Sequence, residues 1–332
     1  ASSGNYNVVL SVDAGTAITL GDGNSLIGFE SGKAITIKSQ NTIVGYQAGL
    51  TLNESQNTLI GYQAGKALVG HAQNTFIGAG TGVGATSEQA VSVGYNSMFQ
   101  YSGTGGIAIG YQAGLSLTSA DYPILIGYKA GWSASTGARN IGVGYQALKS
   151  VGSSSDNIAI GYDALSGSVA GAEKNVVIGN YAGDAVTSAD NTVLVGYGAG
   201  GSLTSQSDVV GIGYEAGKTA GNQTIAIGTS SASVGTGWRN VMIGYGAGKR
   251  TTDHDNVVIG WEAGDDGTGY GQSVFIGSMA GKRWGIGDYN IAIGYGAGGQ
   301  QDVASGNDAQ YNTVIGHGSG DNVTDGDYNI FL

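Results

Sequence analysis

Cysteine is absent and proline occurs once, as Pro123, in a chain of 332 residues. Lack of cysteine rules out disulfides and thiolate metal sites, and suits an extracellular surface or a virion as the setting. Charge is scarce as well: 11% of residues are Asp, Glu, Lys or Arg, and the formal net charge is -11. Nucleic acids and anionic bilayers are bound through clustered lysine and arginine, so neither is expected as a partner. Only three histidines occur, His71, His254 and His317. They are too far apart in sequence to form a His-x-x-x-His ligand pair or to suggest a Ser-His-Asp order. No apolar run approaches the ~20 residues of a membrane-spanning helix.

Glycine, by contrast, is abundant at 64 residues, and threonine, serine, asparagine and glutamine are plentiful. Collagen needs glycine at every third position, a period that is missing here. A longer one is present. The segment Asn-x-x-Ile-Gly-Tyr-x-Ala-Gly returns roughly every 17 residues, with its central glycine at Gly28, Gly45 and Gly61 through to Gly277, Gly294 and Gly316. An earlier copy runs from Asn7 to Gly15 with Ser11 in the glycine slot, and another begins at Asn329-Ile330-Phe331-Leu332. Repeats of this length bury their apolar side against their neighbours, so the chain reads as one repeat array, residues 1–332, with no separate cap or second domain.

Positions within a coil are counted here from the central glycine. Position -1 is Ile or Val in every copy with that glycine, including Ile27, Ile60, Ile109, Ile160, Ile243 and Ile293. Unbroken β-branched choice suggests a strand packed inward. Position +1 is usually aromatic, as at Tyr46, Tyr62, Tyr111, Tyr162, Tyr245 and Tyr295, and Ala-Gly at +3 and +4 supplies a tight corner. Seventeen residues are too few for a strand-helix unit. The expected fold is therefore all-β: a parallel β-solenoid of about 19 coils of roughly 17 residues, with ladders of isoleucine inside, tyrosine near the corner and asparagine bonded amide to amide. Position -2 is also mostly apolar, as at Leu26, Ile43, Phe76 and Val177. With both strand faces apolar, the expectation is that one packs on the coil and the other on a second chain in a parallel symmetric oligomer. The competing reading is a wider monomeric coil whose second strand covers that face.

Asn191-Thr192-Val193-Leu194-Val195-Gly196, with serine at +3 in the coils of Ser31, Ser97, Ser231 and Ser319, resembles the head repeat of trimeric autotransporter adhesins. The fuller form at Asn41 to Gly49, Asn57 to Gly65 and Asn290 to Gly298 looks more like the repeat arrays of phage tail fibres and related surface fibres. The resemblance implies a homotrimeric, left-handed β-roll or β-helix that holds or presents a binding tip. Most copies place Asn one residue nearer the glycine than the adhesin pattern does and run at a longer period.

Catalytic signals are few. Gly142-Val143-Gly144-Tyr145-Gln146-Ala147 and Gly211-Ile212-Gly213-Tyr214-Glu215-Ala216 match a dinucleotide fingerprint literally, but no helix is expected after them. Acidic residues gather at Asp253, Asp255, Glu262, Asp265 and Asp266 and again at Asp321, Asp325 and Asp327. Such carboxylates suit glycoside hydrolysis or Ca²⁺, and Asp beside Asn or Gly equally suits solvated turns; Asp321, Asp325 and Asp327 are weak Ca²⁺ candidates. Tyr101, Trp132, Trp238, Tyr270 and Trp284 lie outside the tyrosine ladder and are candidate glycan or receptor contacts, or else fill gaps between coils.

The sequence thus points to a non-enzymatic fibrous protein, without cofactor, forming the shaft or head of an attachment fibre at a cell surface or on a virion. Its expected partners are copies of itself, with a surface glycan or protein as receptor. The near copies Gly4-Asn5-Tyr6-Asn7 and Gly326-Asp327-Tyr328-Asn329 raise head-to-tail growth into an extracellular filament as an alternative. A tailspike depolymerase and an ice-binding solenoid are remoter ones.

Overall fold

The computed structural model describes residues 4–169, 171–267, 269–285, 287–299, 309–321 and 326–332. The chain is an all-β parallel β-solenoid of about 18 turns, with no helix among the described residues. It divides into two compact units, Ala1–Gly171 and Ala172–Leu332. The first holds strands β1 (Val8–Leu10) to β10 (Ile158–Ile160), and the second β11 (Val176–Ile178) to β20 (Ile330–Phe331). Inside each unit every strand pairs in parallel with the next in sequence, in strict register. Ser25, Leu26 and Ile27 face Thr42, Ile43 and Val44, which face Thr58, Leu59 and Ile60. The same rule links Val257, Val258 and Ile259 to Val274, Phe275 and Ile276 in the second unit.

Each coil contributes one strand of three residues, β20 showing two, and the rest of the coil is turn. Turns are held coil to coil by backbone bonds, such as Gly49 N donating to Ala64 O at 2.9 Å and Thr51 N to Lys66 O at 3.1 Å. The central glycine is required twice over. Gly144 has φ of +140°, a conformation that side chains disfavour, and a Cβ there would sit 2.2 Å from the carbonyl oxygen of Gly161 in the next coil.

The interior belongs to position -2. Leu26, Ile43, Leu59, Phe76, Leu125, Val177, Leu194 and Phe275 are fully buried, whereas Ile27, Ile109, Ile160 and Ile293 at position -1 are exposed and Ile60 and Ile243 half-buried. This reverses the inward assignment of the isoleucine ladder. The isoleucines do form a ladder, but on the outer face. A second inner column, not foreseen, stands at +7: Ile35, Leu52, Leu68, Leu117, Val151, Val186 and Leu203 are all fully buried.

Inner positions compensate one another in size. In three coils a small residue at -2 goes with a large one at +4, Ser92 with Met98, Gly142 with Leu148 and Ala159 with Leu165, and all three large partners are fully buried; Ala108, Gly211 and Ala292 keep glycine at +4. The large partners fill the core at the expense of backbone comfort, since Met98, Leu148 and Leu165 take φ of 43°, 55° and 48° in a slot usually held by glycine. The asparagines bond amide to amide as expected, and the column is buried. Asn41 N and Nδ2 both donate to Asn24 Oδ1, at 3.0 and 3.1 Å, and Asn57 and Asn74 continue the pattern.

Candidate functional site

The outer strand face is the most extensive feature of each unit. Positions -3 and -1 are occupied in coil after coil by Thr, Val or Ile, and no charged residue stands in either column. Position -3 is half-buried in most coils; at -1, Ile109 and Ile160 keep 38% and 39% of their surface exposed. Strand propensity explains the composition, because β-branched side chains pack laterally against their copies one coil above and below.

Along one border of this face runs the tyrosine ladder. Tyr95, Tyr111, Tyr128, Tyr145 and Tyr162 stack with centroids 4.7–5.4 Å apart and planes within 12°. Phe29, Tyr46 and Tyr62 stack likewise at 5.4 and 5.5 Å. The period that aligns the coils therefore aligns the rings. Tyr245 pairs with Trp261 at 6.3 Å and Tyr295 with His317 at 5.1 Å. Along the other border, Gln40, Gln56, Gln73 and Gln89 join amide to amide at 3.0–3.3 Å.

Three of the five aromatic contact candidates are displaced by the structure. Tyr101, Tyr270 and Trp284 are fully buried, and so cannot meet a receptor. Tyr101 donates its hydroxyl to Thr104 O at 3.0 Å, while Tyr270 donates to Gly264 O at 2.9 Å and also bonds Thr251 Oγ1. Burial pushes both phenols far above their ordinary range. Trp284 packs on Phe275 at 5.6 Å in a coil region where position -2 of the next strand is only Ala292. The reason is volume: these rings fill core that small residues leave open. Tyr101 and Trp284 stand at +7, where leucine stands in other coils.

Trp132 is half-buried, with Lys129 Nζ 5.6 Å from its ring centroid. Trp238 is exposed. The Arg239 guanidinium lies 4.3 Å over its ring, His254 of the next coil lies 5.2 Å away, and Arg239 holds Asp255 two-pronged at 2.6 Å and 2.6 Å. The Arg239 hydrogen bond keeps the Asp255 carboxyl below its ordinary value.

Three of the five residues of the first acidic cluster form coil-to-coil ion pairs: Asp255 with Arg239, Asp266 with Arg250 at 3.4 Å, and Glu262 with Lys282. Asp265 has no such partner of its own, and its Oδ1 is buried without a hydrogen-bond donor. Of the Ca²⁺ candidates, Asp327 accepts a bond from Gln310 N at 2.8 Å, and Asp321 is exposed beside Met279, Tyr295 and His317 at a shallow cleft. Asp325 lies outside the described residues. Among the described residues no group of three or more His, Cys, Asp or Glu is placed to hold a metal ion.

Comparison with family models gave no match, and neither did comparison with curated proteins.

Proposed function

We propose that this chain is a non-enzymatic structural protein that assembles with parallel copies of itself, as a homotrimer of left-handed coils, into the shaft or head of an attachment fibre at a cell surface or on a virion. One observation carries the reading: an uncharged, mostly β-branched strand face that continues from coil to coil in each unit and, among the described residues, stays exposed or half-buried. Water-facing strands ordinarily alternate apolar with polar residues, and an apolar face kept over so many coils favours burial against protein. Another copy is the partner that fits it. It alone presents the same side chains at the same axial spacing, so contacts repeat at each coil without frustration, and cyclic symmetry closes them. The absence of charged residues from the strand columns supports the same reading, since this face has no charge with which to recruit a charged partner.

Mass in solution tests it. Light scattering on the full chain is expected to give three times the chain mass, and Ile109→Lys with Ile160→Lys on the outer face should release monomers that keep their β circular dichroism. A wild-type monomer would overturn the proposal.

A further inference from the structure

In a stack of rings the faces are taken up by one another, and solvent meets only edges and hydroxyls. Faces become accessible where the ladder skips a rung. In the Ala1–Gly171 unit this happens at Ala79, which stands in the aromatic slot between Tyr62 and Tyr95. Those two tyrosines are 55% and 50% exposed, against 45%, 44%, 40% and 39% for Tyr46, Tyr111, Tyr128 and Tyr145, which have rings on both sides. The excess is what an uncovered ring face would add. Two coils separate Tyr62 from Tyr95, or about 10 Å at the usual strand spacing, which is room for one ring between them.

The floor of the notch is Ala79 and Gly80. An added Cβ on Gly80 would lie 2.0 Å from Asn96 Oδ1, so the Asn96 carboxamide lies across that glycine. On the opposite lip stands the Gln63 carboxamide, bonded to Gln47 at 3.0 Å. The groups named here, tyrosine hydroxyls and carboxamides, are themselves uncharged.

We propose that the Ala79 notch binds a neutral pyranose ring, sandwiched between Tyr62 and Tyr95. A sugar turns its C–H faces to the electron-rich faces of aromatic rings. Because it is puckered and bears hydrogens on both sides, it is thicker than an aromatic plane and suits a slot whose width is set by strand spacing. Its hydroxyls meet groups that donate and accept, as carboxamides and phenols do. None of these groups offers an ionic anchor.

The second unit also skips a rung, at Thr229 between Tyr214 and Tyr245, which are 50% and 52% exposed, but its lip carries Glu215, paired with Lys218 at 3.0 Å, where the Ala79 notch has Gln63. A third skipped rung, Ser278 between Trp261 and Tyr295, is closed by the chain itself: Lys282 Nζ stands 5.5 Å from the Trp261 centroid and pairs with Glu262. The inference deepens the attachment reading by naming a ligand class, yet every wall of a notch comes from one chain. Copies in an assembly would multiply weak sites into avidity.

The test fills the rungs. Saturation-transfer NMR on the full chain would use methyl pyranosides of glucose, galactose, mannose and N-acetylglucosamine as probes, with p-cresol as a planar comparison. At least one pyranoside should respond with wild type, and the response should fall about fivefold or more in Ala79→Tyr/Thr229→Tyr, since sandwiching by rings is the interaction removed. Tyr95→Leu, which deletes one wall and leaves the floor, should weaken whatever response arises at the Ala79 notch in a Thr229→Tyr background. No pyranoside response from wild type, an undiminished response with both rungs filled, or a response to p-cresol alone would overturn the proposal. A pyranoside-binding monomer would sink only the assembly reading, and an oligomer indifferent to all four sugars only this one.

Discussion

Gly144 and Gly70 both take positive φ, +140° and +78°, but only the first meets a neighbour, the Gly161 carbonyl, where a Cβ would go. Gly144→Ala should therefore cost about 3 kcal/mol or more, and Gly70→Ala about 1 kcal/mol, as read by urea denaturation; equal costs would refute the role given to close approach. Asp265 offers a test by pH. Burial first, and the Asp266 charge next, push its carboxyl above its ordinary value. A carboxyl raised in the fold favours the folded state while protonated, and that contribution is lost as pH rises through the folded value. Asp265→Asn should accordingly raise the melting temperature at neutral pH, and the advantage should shrink as pH falls through the carboxylate range. A wild type more stable than the variant at neutral pH would contradict the assignment. Asn57 lies in the buried column, and Asn57→Ala leaves the Asn74 N–H, now bonded at 2.9 Å, without its acceptor. The expected loss is about 1–3 kcal/mol.

Within one coil, the pairing of Gly142 with Leu148 can be exchanged. Leu148→Gly alone opens a cavity, at about 2–5 kcal/mol less whatever relief the φ of 55° returns; Gly142→Leu alone overpacks, as a Cβ there already meets Leu125 and Leu148 at 3.2 Å. Together they should restore most of the lost stability, and a double-mutant cycle without coupling would show that the two do not share space. The same pair explains what the sequence could and could not reveal. Period, strand position, asparagine column and tyrosine ladder were all legible, because each recurs at a fixed place. Which face looks inward was not. Constancy at -1 suggested burial, yet the constant residues are the outer ones, uniform because each packs on its own copy. The inner residues vary because they answer one another across the core, as Gly142 answers Leu148. Tyr101 and Trp284 misled for a related reason: counted from the glycine they occupy the +7 column of Ile35 and Leu52, but a lone aromatic in a variable segment resembles a binding group. Trp238, exposed as expected, belongs to no inner column.

For the molecule as a whole, nearest-neighbour construction makes coils interchangeable units. Deleting residues 57–73 would bring Asn74 onto Asn41 and Thr75 onto Thr42, reproducing the contacts that Asn57 and Thr58 make now. Circular dichroism per residue should be unchanged and unfolding should stay cooperative, whereas a deletion of half that length, which puts turn residues opposite a strand, should not fold. The asparagine column adds a direction to this construction. In the links to Oδ1 the later coil supplies the N–H and the earlier one the waiting oxygen, Asn24 to Asn7, Asn41 to Asn24, Asn57 to Asn41, while Nδ2 also donates the other way, as from Asn24 to Lys38 O and from Asn41 to Glu54 O. During synthesis, a finished coil would accordingly offer an acceptor to the segment that emerges after it, so these links can form in the order of translation, each coil serving as a mould for its successor.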